Sequence, residues 1–455
     1  MQDHPSAEQV IAELEKLDKP KVKVAITDID GVLRGKYLHR DKFLGAARDG
    51  FGFCNVVFGW DAGDICYDDA SYTGWHSGYP DALARVDLAT YRRVPWDDNV
   101  PFFLGDFEDA QGKPLGVCPR KLLAQVVKRA KSMGFTPVCA FEFEWFNFRE
   151  TPQSLQNKRY VQPEPITPGM FGYSILRTAQ NQPFFRAMMD ELLAFRVPIE
   201  GLHTETGPGV LEAAILYSDA LEAADRAVLF KTSVKEIGQR FGIMPTFMAK
   251  WNEKLPGCSG HTHQSLWNAQ GENVFYDAGA EFKMSSVFKQ YLAGQMRLMP
   301  EILPFFAPTV NSYKRLVEGA WAPTRVNWGV DNRTTALRVI PGSSKSTRLE
   351  TRVVGSDVNP YLAAAACIAS GLYGIEHGLE LPSGAVQGSG YRDEAAPRLP
   401  SNLGEATERL ASSALARELF GDTFVDHFVT SRRWEWRQYQ AAVTNWETER
   451  YFEII

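Results

Sequence analysis

Two glutamates that stand two residues apart are the first residues in this sequence that could do chemistry. Residues 141–146 read Phe-Glu-Phe-Glu-Trp-Phe, and on a strand Glu142 and Glu144 would point to the same face. Their aromatic neighbours indicate a buried strand, and two buried carboxylates repel each other unless cations lie between them. A half-exposed strand with a solvated acidic face accounts for the pair equally well, so both interpretations stay open.

Further carboxylates and a pair of histidines follow along the chain. Glu200, Glu205 and Glu212 surround a Gly-Pro-Gly turn that could bring the last two together. Acidic residues before a helix also favour the helix dipole, so this motif alone has a plain structural explanation. His261 and His263 stand beside glycines in Gly-His-Thr-His-Gln-Ser, and on a strand both rings would share a face. A lone histidine is more often structural than a ligand, but two at this spacing favour a functional site.

The last third of the sequence carries a cluster of basic residues. Its members are Lys314, Arg315, Arg333, Arg338, Lys345, Arg348 and Arg352. On a strand, alternation would place Arg348, Glu350 and Arg352 on one face. This row could be a surface salt-bridge ladder, or it could be an array of cations that binds phosphate and carboxylate groups. Taken with the glutamates and histidines, the cluster predicts an oxygen-rich site for Mg²⁺ or Mn²⁺ beside a phosphate site, as phosphoryl transfer requires.

The composition of the chain limits the classes of binding partner and the cellular compartment that we expect. The chain has 455 residues, of which 44% are hydrophobic and 23% charged, and its net charge is −6. These values suit a folded protein of roughly two or three domains and argue against nucleic acid as a partner. The six cysteines stand singly, so we expect neither a disulfide scaffold nor a zinc site. Because we find no signal-like segment and no apolar run of about 18 residues, we expect a cytoplasmic protein without a membrane span.

The elements that must position these residues fall into two parts. Residues 6–17 predict an amphipathic helix, residues 22–29 a strand, and residues 48–118 mostly strands and loops. After residue 118, helices are expected near 119–134, 183–196, 213–241, 284–302, 360–378, 405–419 and 424–450. We therefore predict an N-terminal helix at 1–20, a small β-rich domain at 21–115 and a large α+β domain at 116–455.

The order and spacing of these motifs resemble the glutamine synthetase superfamily over nearly the whole chain, from Asp28 to Phe452. The matching motifs are Glu-x-Glu, Glu-x6-Glu, Gly-His-x-His-x-Ser, Asn-Ser-Tyr-Lys-Arg, Asn-Arg-Thr, Arg-x-Glu-x-Arg and Asn-Pro-Tyr-Leu-Ala. The resemblance implies an α+β fold with a small β-grasp-like N-terminal domain and a large catalytic domain. It also implies a homo-oligomer, often a dodecamer of two hexameric rings, in which each active site lies between one catalytic domain and the neighbour's N-terminal domain.

The resemblance further implies a role for each matching residue. Two or three divalent metal ions would be held by Glu144, Glu205 and Glu212 at one position and by Glu142, His261 and Glu350 at the other. ATP would be faced by Glu200, His263, Ser265, Arg338, Lys345 and Arg348. Substrate L-glutamate would be bound by Gly257, Arg315 and Arg352. Arg333 would lie over the transferring phosphoryl group, so that Arg315 and Arg333 count as catalytic. The family makes γ-glutamyl phosphate from ATP and glutamate, and an amine then displaces phosphate.

Two features depart from the ammonia-using members of the superfamily. Their flap reads Pro-Gly-Tyr-Glu-Ala-Pro, whereas here the equivalent residues 318–323 place Trp321 at the glutamate position. Their Asp-Gly-Ser-Ser loop is replaced by residues 57–64, which include Trp60 and Asp61. Two tryptophans suit an amine with a carbon body. Because such an amine has a pKa of about 10.4, the site needs a base, for which we predict Asp61.

These features predict a γ-glutamylamide ligase that uses a short alkylamine, bound by Trp60, Asp61 and Trp321. Ethanolamine, a polyamine or ammonia as the acceptor, and a non-catalytic structural relative, stay open as alternatives. Residues 24–33 also resemble the nucleophile motif of haloacid-dehalogenase phosphatases, but the sequence after them lacks alternating βα units, so we interpret them as a β-hairpin. The family's Asn-Leu-Tyr adenylylation site is not evident near residues 400–404.

Overall fold

The computed structural model describes residues 5–109 and 111–455, so residues 1–4 of the predicted N-terminal segment and residue 110 lie outside it. The first part of the described chain forms a six-stranded sheet in the order β2-β1-β6-β4-β3, with β5 paired to β6. Its strands are β1 (Lys21–Thr27), β2 (Leu33–His39), β3 (Phe51–Cys54), β4 (Asp81–Val86), β5 (Arg92–Val94) and β6 (Val100–Glu108). Helices α1 (Ala7–Glu15) and α2 (Arg40–Asp49) bury Val10, Leu14 and Phe43 against it.

The second sheet has nine strands in the order β13-β14-β15-β12-β7-β9-β8, with β10 and β11 also paired to β7. Its strands are β7 (Thr136–Phe148), β8 (Ile199–Thr204), β9 (Val210–Ile215), β10 (Ser218–Asp219), β11 (Met244–Thr246), β12 (Gly260–Trp267), β13 (Trp328–Val330), β14 (Leu337–Ile340) and β15 (Arg348–Thr351). The long strand β7 lies at its centre. Phe141, Phe143 and Trp145 are buried on one face of β7, while Glu142 and Glu144 point to the other, as the period of two predicts.

Helices follow the first sheet along the chain, and several of them pack against the second sheet. They are α3 (Pro119–Ser132), α4 (Pro152–Asn157), α5 (Ile175–Gln180), α6 (Gln182–Ala194), α7 (Ala220–Arg240), α8 (Ser286–Leu298), α9 (Ser312–Arg315), α10 (Pro360–Glu376), α11 (Leu403–Ser412), α12 (Ala414–Phe420), α13 (Asp422–Ala441) and α14 (Asn445–Tyr451). Asn359 caps α10 by accepting the Tyr361 N–H at 3.0 Å. In the part of the chain that the structure describes, no helix combines the length and apolarity needed to cross a membrane.

One predicted helix begins later than expected. The sequence predicted helix over residues 213–241, but residues 210–215 form β9 and the helix starts at Ala220. Gly207 and Gly209 adopt positive φ angles of 143° and 74°, and the turn that they form returns the chain beside β8. Pairing with β7 and β8 outweighs the helix propensity of the Leu-Glu-Ala-Ala run. Glu212 therefore lies on a strand rather than at a helix start.

The hairpin predicted at residues 24–33 is confirmed, and it joins the two halves of the molecule. Strands β1 and β2 pair antiparallel around a turn at Asp28, whose carboxylate accepts the N–H groups of Asp30 and Val32. Asn359 donates to the carbonyls of Asp28 and Ile29 at 3.3 and 3.1 Å. The apparent phosphatase motif is thus a structural junction with α10. Because β6 ends at Glu108 and α3 begins at Pro119, we retain the proposed domain boundary near residue 115.

Candidate active site

Strand register gathers the predicted acidic residues and histidines on one face of the nine-stranded sheet. Residues directly opposite each other on neighbouring strands share a face. His203 of β8 lies opposite Glu212 of β9, and Glu212 lies opposite Glu144 of β7. In the next row, Glu142 of β7 lies opposite His261 of β12.

A third row continues across the same face. His263 of β12 lies opposite Glu350 of β15, and Glu350 lies opposite Arg338 of β14. Glu142 and Glu350, which are 208 residues apart in sequence, therefore lie close together because six strands are paired in this order. The sheet presents two acidic clusters with arginines at one end.

The first cluster consists of His203, Glu205 and Glu212, whose potential ligand atoms lie within 4.8 Å of one another. His203 Nε2 is 3.0 Å from a Glu212 carboxylate oxygen, and its Nδ1 donates to the Thr204 carbonyl at 3.1 Å. Burial raises the pKa of Glu212 to about 8 against the opposing hydrogen bond from His203, and the charges of Glu142 and Glu144 add to the rise. The hydrogen bond with Glu212 in turn raises the pKa of His203 to about 9 against the effect of burial, so the two side chains share a proton that a divalent ion could replace.

The second cluster consists of Glu142, His263 and Glu350, again within 4.8 Å. His261, the predicted histidine ligand, lies in the same place, with Nδ1 3.2 Å from Glu142 and 3.3 Å from Glu350. Burial would raise the pKa of Glu142, but the hydrogen bond from His261 and the charge of His263 hold it at about 2. Glu142 therefore stays ionised at neutral pH.

Both clusters fit a hard divalent cation. Carboxylate oxygens with one imidazole at the first cluster and two at the second are ligands that Mg²⁺ and Mn²⁺ accept, and such an ion would offset the negative charge gathered around Glu212. Glu144, predicted for the first position, accepts the Ser259 N–H at 2.6 Å and lies beside Glu212 across the strands. It is not one of the three residues whose ligand atoms lie within 4.8 Å of one another in the first cluster, so its role as a ligand stays a prediction.

Arginines neutralise the second cluster from one side. Arg338 donates to Glu350 at 2.8 Å, and Arg352 forms an ion pair with the other oxygen of the same carboxylate. Although burial opposes ionisation, His261, His263 and these arginines hold the pKa of Glu350 far below its usual range. Arg352 Nε also donates to the carbonyl of Arg333 at 3.1 Å, which ties the exposed Arg333 turn to the cluster.

The predicted glutamate site is tightly packed around Arg315. Its buried guanidinium donates to the carbonyls of Val353 and Arg352, both at 3.0 Å. A Cβ at Gly257 would lie 2.7 Å from Arg315 Cγ and 2.6 Å from the Ala249 carbonyl oxygen. Only glycine allows this approach, so the backbone of Gly257 and the Arg315 side chain are brought together as predicted.

A cavity of about 240 Å³ opens beside the second cluster, and it collects five of the six predicted ATP residues. Its lining includes Glu200, His263, Ser265, Lys345 and Arg348. The sixth, Arg338, is bonded to Glu350 and does not line it. Arg348 Nε donates to His263 Nδ1 at 3.2 Å, so two of the lining side chains hold each other in place.

The predicted amine residues are not brought together within one protomer. Trp60 packs in the apolar cluster of the first sheet, with the Arg34 guanidinium 5.2 Å from its ring centre, whereas Trp321 is 65% exposed on the catalytic half. The Asp61 carboxylate accepts the N–H groups of Gly63 and Ile65 and the Trp434 indole N–H. Because three donors already engage it, the structure gives Asp61 a loop-holding role and does not support its predicted role as the base.

Four residues of the site escaped the sequence analysis. His203 lies two residues before Glu205, so strand alternation could have revealed it. Tyr173 stacks on His203 with ring centres 4.4 Å apart, and it comes from a loop that no local pattern links to the site. Tyr217 and Trp267 line the cavity, and Trp267 donates to Ser265 at 2.9 Å. These aromatic contacts depend on the fold.

The sequence is similar to known proteins over nearly its whole length. Residues 116–451 match the catalytic domain of glutamine synthetase. The chain is 53% identical to Type-1 glutamine synthetase 2 of Dictyostelium discoideum, over 99% of this chain and 87% of that protein. It is 36% identical to glutamate–isopropylamine ligase of a Pseudomonas species over 97% of both chains, and 38% identical to gamma-glutamylethanolamide synthetase GlnA4 of Streptomyces coelicolor over 96% and 93%.

Solved structures of related proteins share this fold. An ADP complex of GmaS superposes with a TM-score of 0.84 at 28% identity, covering 99% of this chain and 100% of that one. The match therefore includes the first sheet as well as the second. The match to the catalytic domain and these similarities establish that the chain belongs to the glutamine synthetase family of ligases.

Proposed function

We propose that this protein is an ATP-dependent ligase that joins the γ-carboxylate of L-glutamate to a primary amine, with a short alkylamine as the acceptor. Trp321 carries the proposal, because an exposed indole stands in the loop where ammonia-using relatives are expected to have a carboxylate. An apolar wall favours an acceptor with carbon atoms, whereas a carboxylate would favour ammonium.

The proposed reaction has two steps. The cavity residues hold ATP, and Arg315, Arg352 and the Gly257 backbone hold glutamate, so that a γ-carboxylate oxygen attacks the terminal phosphorus and ADP leaves. The neutral amine nitrogen then attacks the acyl carbon of γ-glutamyl phosphate, the bond from that carbon to the phosphate oxygen breaks, and the departing phosphate takes the proton that the nitrogen loses as the amide forms. The two acidic clusters would hold Mg²⁺ or Mn²⁺, which supplies charge neutralisation for the phosphates. Arg333 would add a further positive charge near the phosphoryl group.

The acceptor half of the site is proposed to need a second copy of the chain. Trp60 and Trp321 lie in different environments of the protomer, one in the first sheet's core and one exposed. A homo-oligomer, proposed as a dodecamer of two hexameric rings, would place the Trp60 loop of one subunit against the Trp321 loop of its neighbour. Wild-type activity would then depend on assembly.

Acceptor specificity is the test of this proposal. The value of kcat/KM is measured for ammonia, ethylamine, isopropylamine, ethanolamine and putrescine with saturating ATP and glutamate. Each methylene that fits against the indole adds up to about 0.8 kcal/mol, so two or three carbons give roughly a 10- to 60-fold preference over ammonia. Reactions without glutamate, or with excess chelator, serve as controls and should release no phosphate.

A second candidate is an ammonia-using glutamine synthetase. The observation that favours it is the 53% identity to a relative that carries that name. A wild-type preference for ammonia would establish this second candidate and remove the role proposed for Trp321. Dominance of putrescine would instead favour a polyamine acceptor, bound with help from the acidic residues of the Trp60 loop.

A further inference from the structure

The Trp60 loop, residues 59–69, is shaped in part by a single carboxylate. The Asp61 N–H donates to the Ile65 carbonyl at 3.0 Å. In return, the Asp61 carboxylate uses one oxygen, Oδ1, to accept the N–H groups of Gly63 and Ile65 at 2.8 and 3.0 Å. Because Oδ1 alone satisfies both donors of the turn, the second oxygen, Oδ2, can bind a group from elsewhere in the chain.

Helix α13 supplies that group. The buried indole of Trp434 donates its N–H to Asp61 Oδ2 at 2.8 Å. The buried Tyr67 ring packs edge-on against the same indole, with ring centres 6.0 Å apart, and both residues lie in a small apolar cluster separate from the larger ones. Arg437, three residues further along α13, donates to Asp68 at 2.6 Å, but this pair is exposed and contributes little. The main attachment of the loop to α13 is therefore Trp434.

Strand β2 supports the same loop through Arg34. Its guanidinium donates to Asp64 of the loop at 2.7 Å and to the buried carboxylate of Asp28 at 2.9 Å. The guanidinium carbon also lies 5.2 Å from the centre of the Trp60 ring. The loop is thus bound by β2 and by α13, two elements that are distant from each other in sequence. Its conformation depends on these supports as well as on its own turn.

We propose that Trp434 is a positioning residue for the acceptor site, which holds the Trp60 loop, through Asp61, in the conformation that receives the amine. The proposal rests on the proposed function, in which this loop lines the acceptor site of a neighbouring subunit. Helix α13 of one chain would then act on the amine bound at the next. A loop that is already ordered costs less conformational entropy when the amine binds, so the effect falls on KM for the acceptor.

Trp434→Phe tests the contact because it removes the indole N–H and keeps an aromatic ring against Tyr67. Amide hydrogen exchange in the full-length protein should become at least about 5-fold faster in residues 59–69, with β12 unchanged. Trp436→Phe is the matched control, since Trp436 lies on the same helix but packs against Gly404 of α11, where an added Cβ would be 2.7 Å from its Nε1. The control should alter neither region. Unchanged loop exchange in Trp434→Phe would overturn the proposal, whichever acceptor the enzyme uses.

Steady-state kinetics separate positioning from a purely structural role. Trp434→Phe should raise KM for ethylamine at least about 5-fold, while kcat and the KM values for ATP and glutamate stay within about 2-fold of wild type. Asp61→Asn should have the same effect, because its single oxygen stays with Gly63 and Ile65 and its amide nitrogen cannot accept from the indole. The double variant should add nothing further, since both changes remove one bond.

The remaining outcomes are also decisive. If loop exchange rises in Trp434→Phe but KM for ethylamine does not, the contact is only structural and the proposal is wrong. A parallel loss in kcat and in every KM value, in Trp434→Phe and in Asp61→Asn, would overturn it in the same way. If wild type prefers ammonia, the alkylamine proposal fails, and a change in KM for ammonia then decides the role of Trp434.

Discussion

At the proposed metal and nucleotide end of the site, here called the strand-built end, most side chains stand on paired strands. At the proposed acceptor end, Trp60 and Trp321 stand on loops. The strand residues are locked by register and by contacts such as Arg338 to Glu350 at 2.8 Å. The acceptor residues lie apart, and one of them is largely exposed. Under the proposed function, the sheet carries the residues for phosphoryl transfer, and the choice of acceptor is left to segments that can change without disturbing the sheet.

The largest effect should come from breaking the strand-built end. Glu350→Gln removes the charge that pairs with Arg338 and Arg352 and deprives the second cluster of a carboxylate, so kcat should fall by at least about 10³-fold. ATP-dependent phosphate release is measured against metal concentration, with thermal unfolding to verify the fold. Glu281→Gln, at an exposed glutamate, is the control. Activity within 10-fold of wild type would refute the metal assignment.

Lowering the pH should reduce stability through a buried histidine beside the acceptor end. His427 of α13 is buried between Phe58 and Tyr72, which flank the Trp60 loop, and both its ring nitrogens lack partners among the described residues. Burial, assisted by Arg432, lowers the pKa of His427 to about 4.

Because the unfolded state binds this proton more readily, stability is complete above pH 6.5 and is lost as pH falls towards 4. The expected loss is about 3 kcal/mol. Urea unfolding of wild type and His427→Leu at pH 7 and pH 4.5 checks the sign, since the variant should lack this part of the acid sensitivity. Equal pH dependence in the two proteins would show that His427 is not the group responsible.

Exchanging one acceptor residue should alter specificity without touching the chemistry. Trp321→Glu should lose most of the roughly 15-fold preference for ethylamine over ammonia, because a carboxylate replaces an apolar wall. The ratio of the two kcat/KM values is the measurement, and KM for ATP should not change. Trp75→Glu, at another exposed tryptophan, is the control. An unaltered ratio would mean that the indole does not contact the amine.

The smallest effect is expected at Asp61. Asp61→Asn keeps the side-chain oxygen that accepts the N–H groups of Gly63 and Ile65, so kcat for ethylamine should change by less than about 3-fold. The pH–rate profile is compared with that of wild type. A loss of about 100-fold, with disappearance of the basic limb, would restore Asp61 as the general base.

The sequence by itself determined which residues share a face. Alternation with a period of two placed Glu142 with Glu144 and His261 with His263, because successive side chains of any strand point to opposite sides. It also located the hairpin at Asp28, and the ordered motifs were specific enough to indicate the family. The starts of long helices were less certain, as β9 shows, because Leu, Glu and Ala favour a helix until neighbouring strands compete.

Only the tertiary structure decided which of these faces meet and which side chains are already engaged. Whether Glu350 lies opposite His263 depends on the register between β12 and β15, and that register is set by packing across the whole sheet. Nothing in the sequence indicated that Asp61 has a partner, yet its carboxylate accepts a hydrogen bond from the indole N–H of Trp434, which is 373 residues away. Long-range contacts of this kind carry no local pattern, because they arise when distant elements bury their surfaces together.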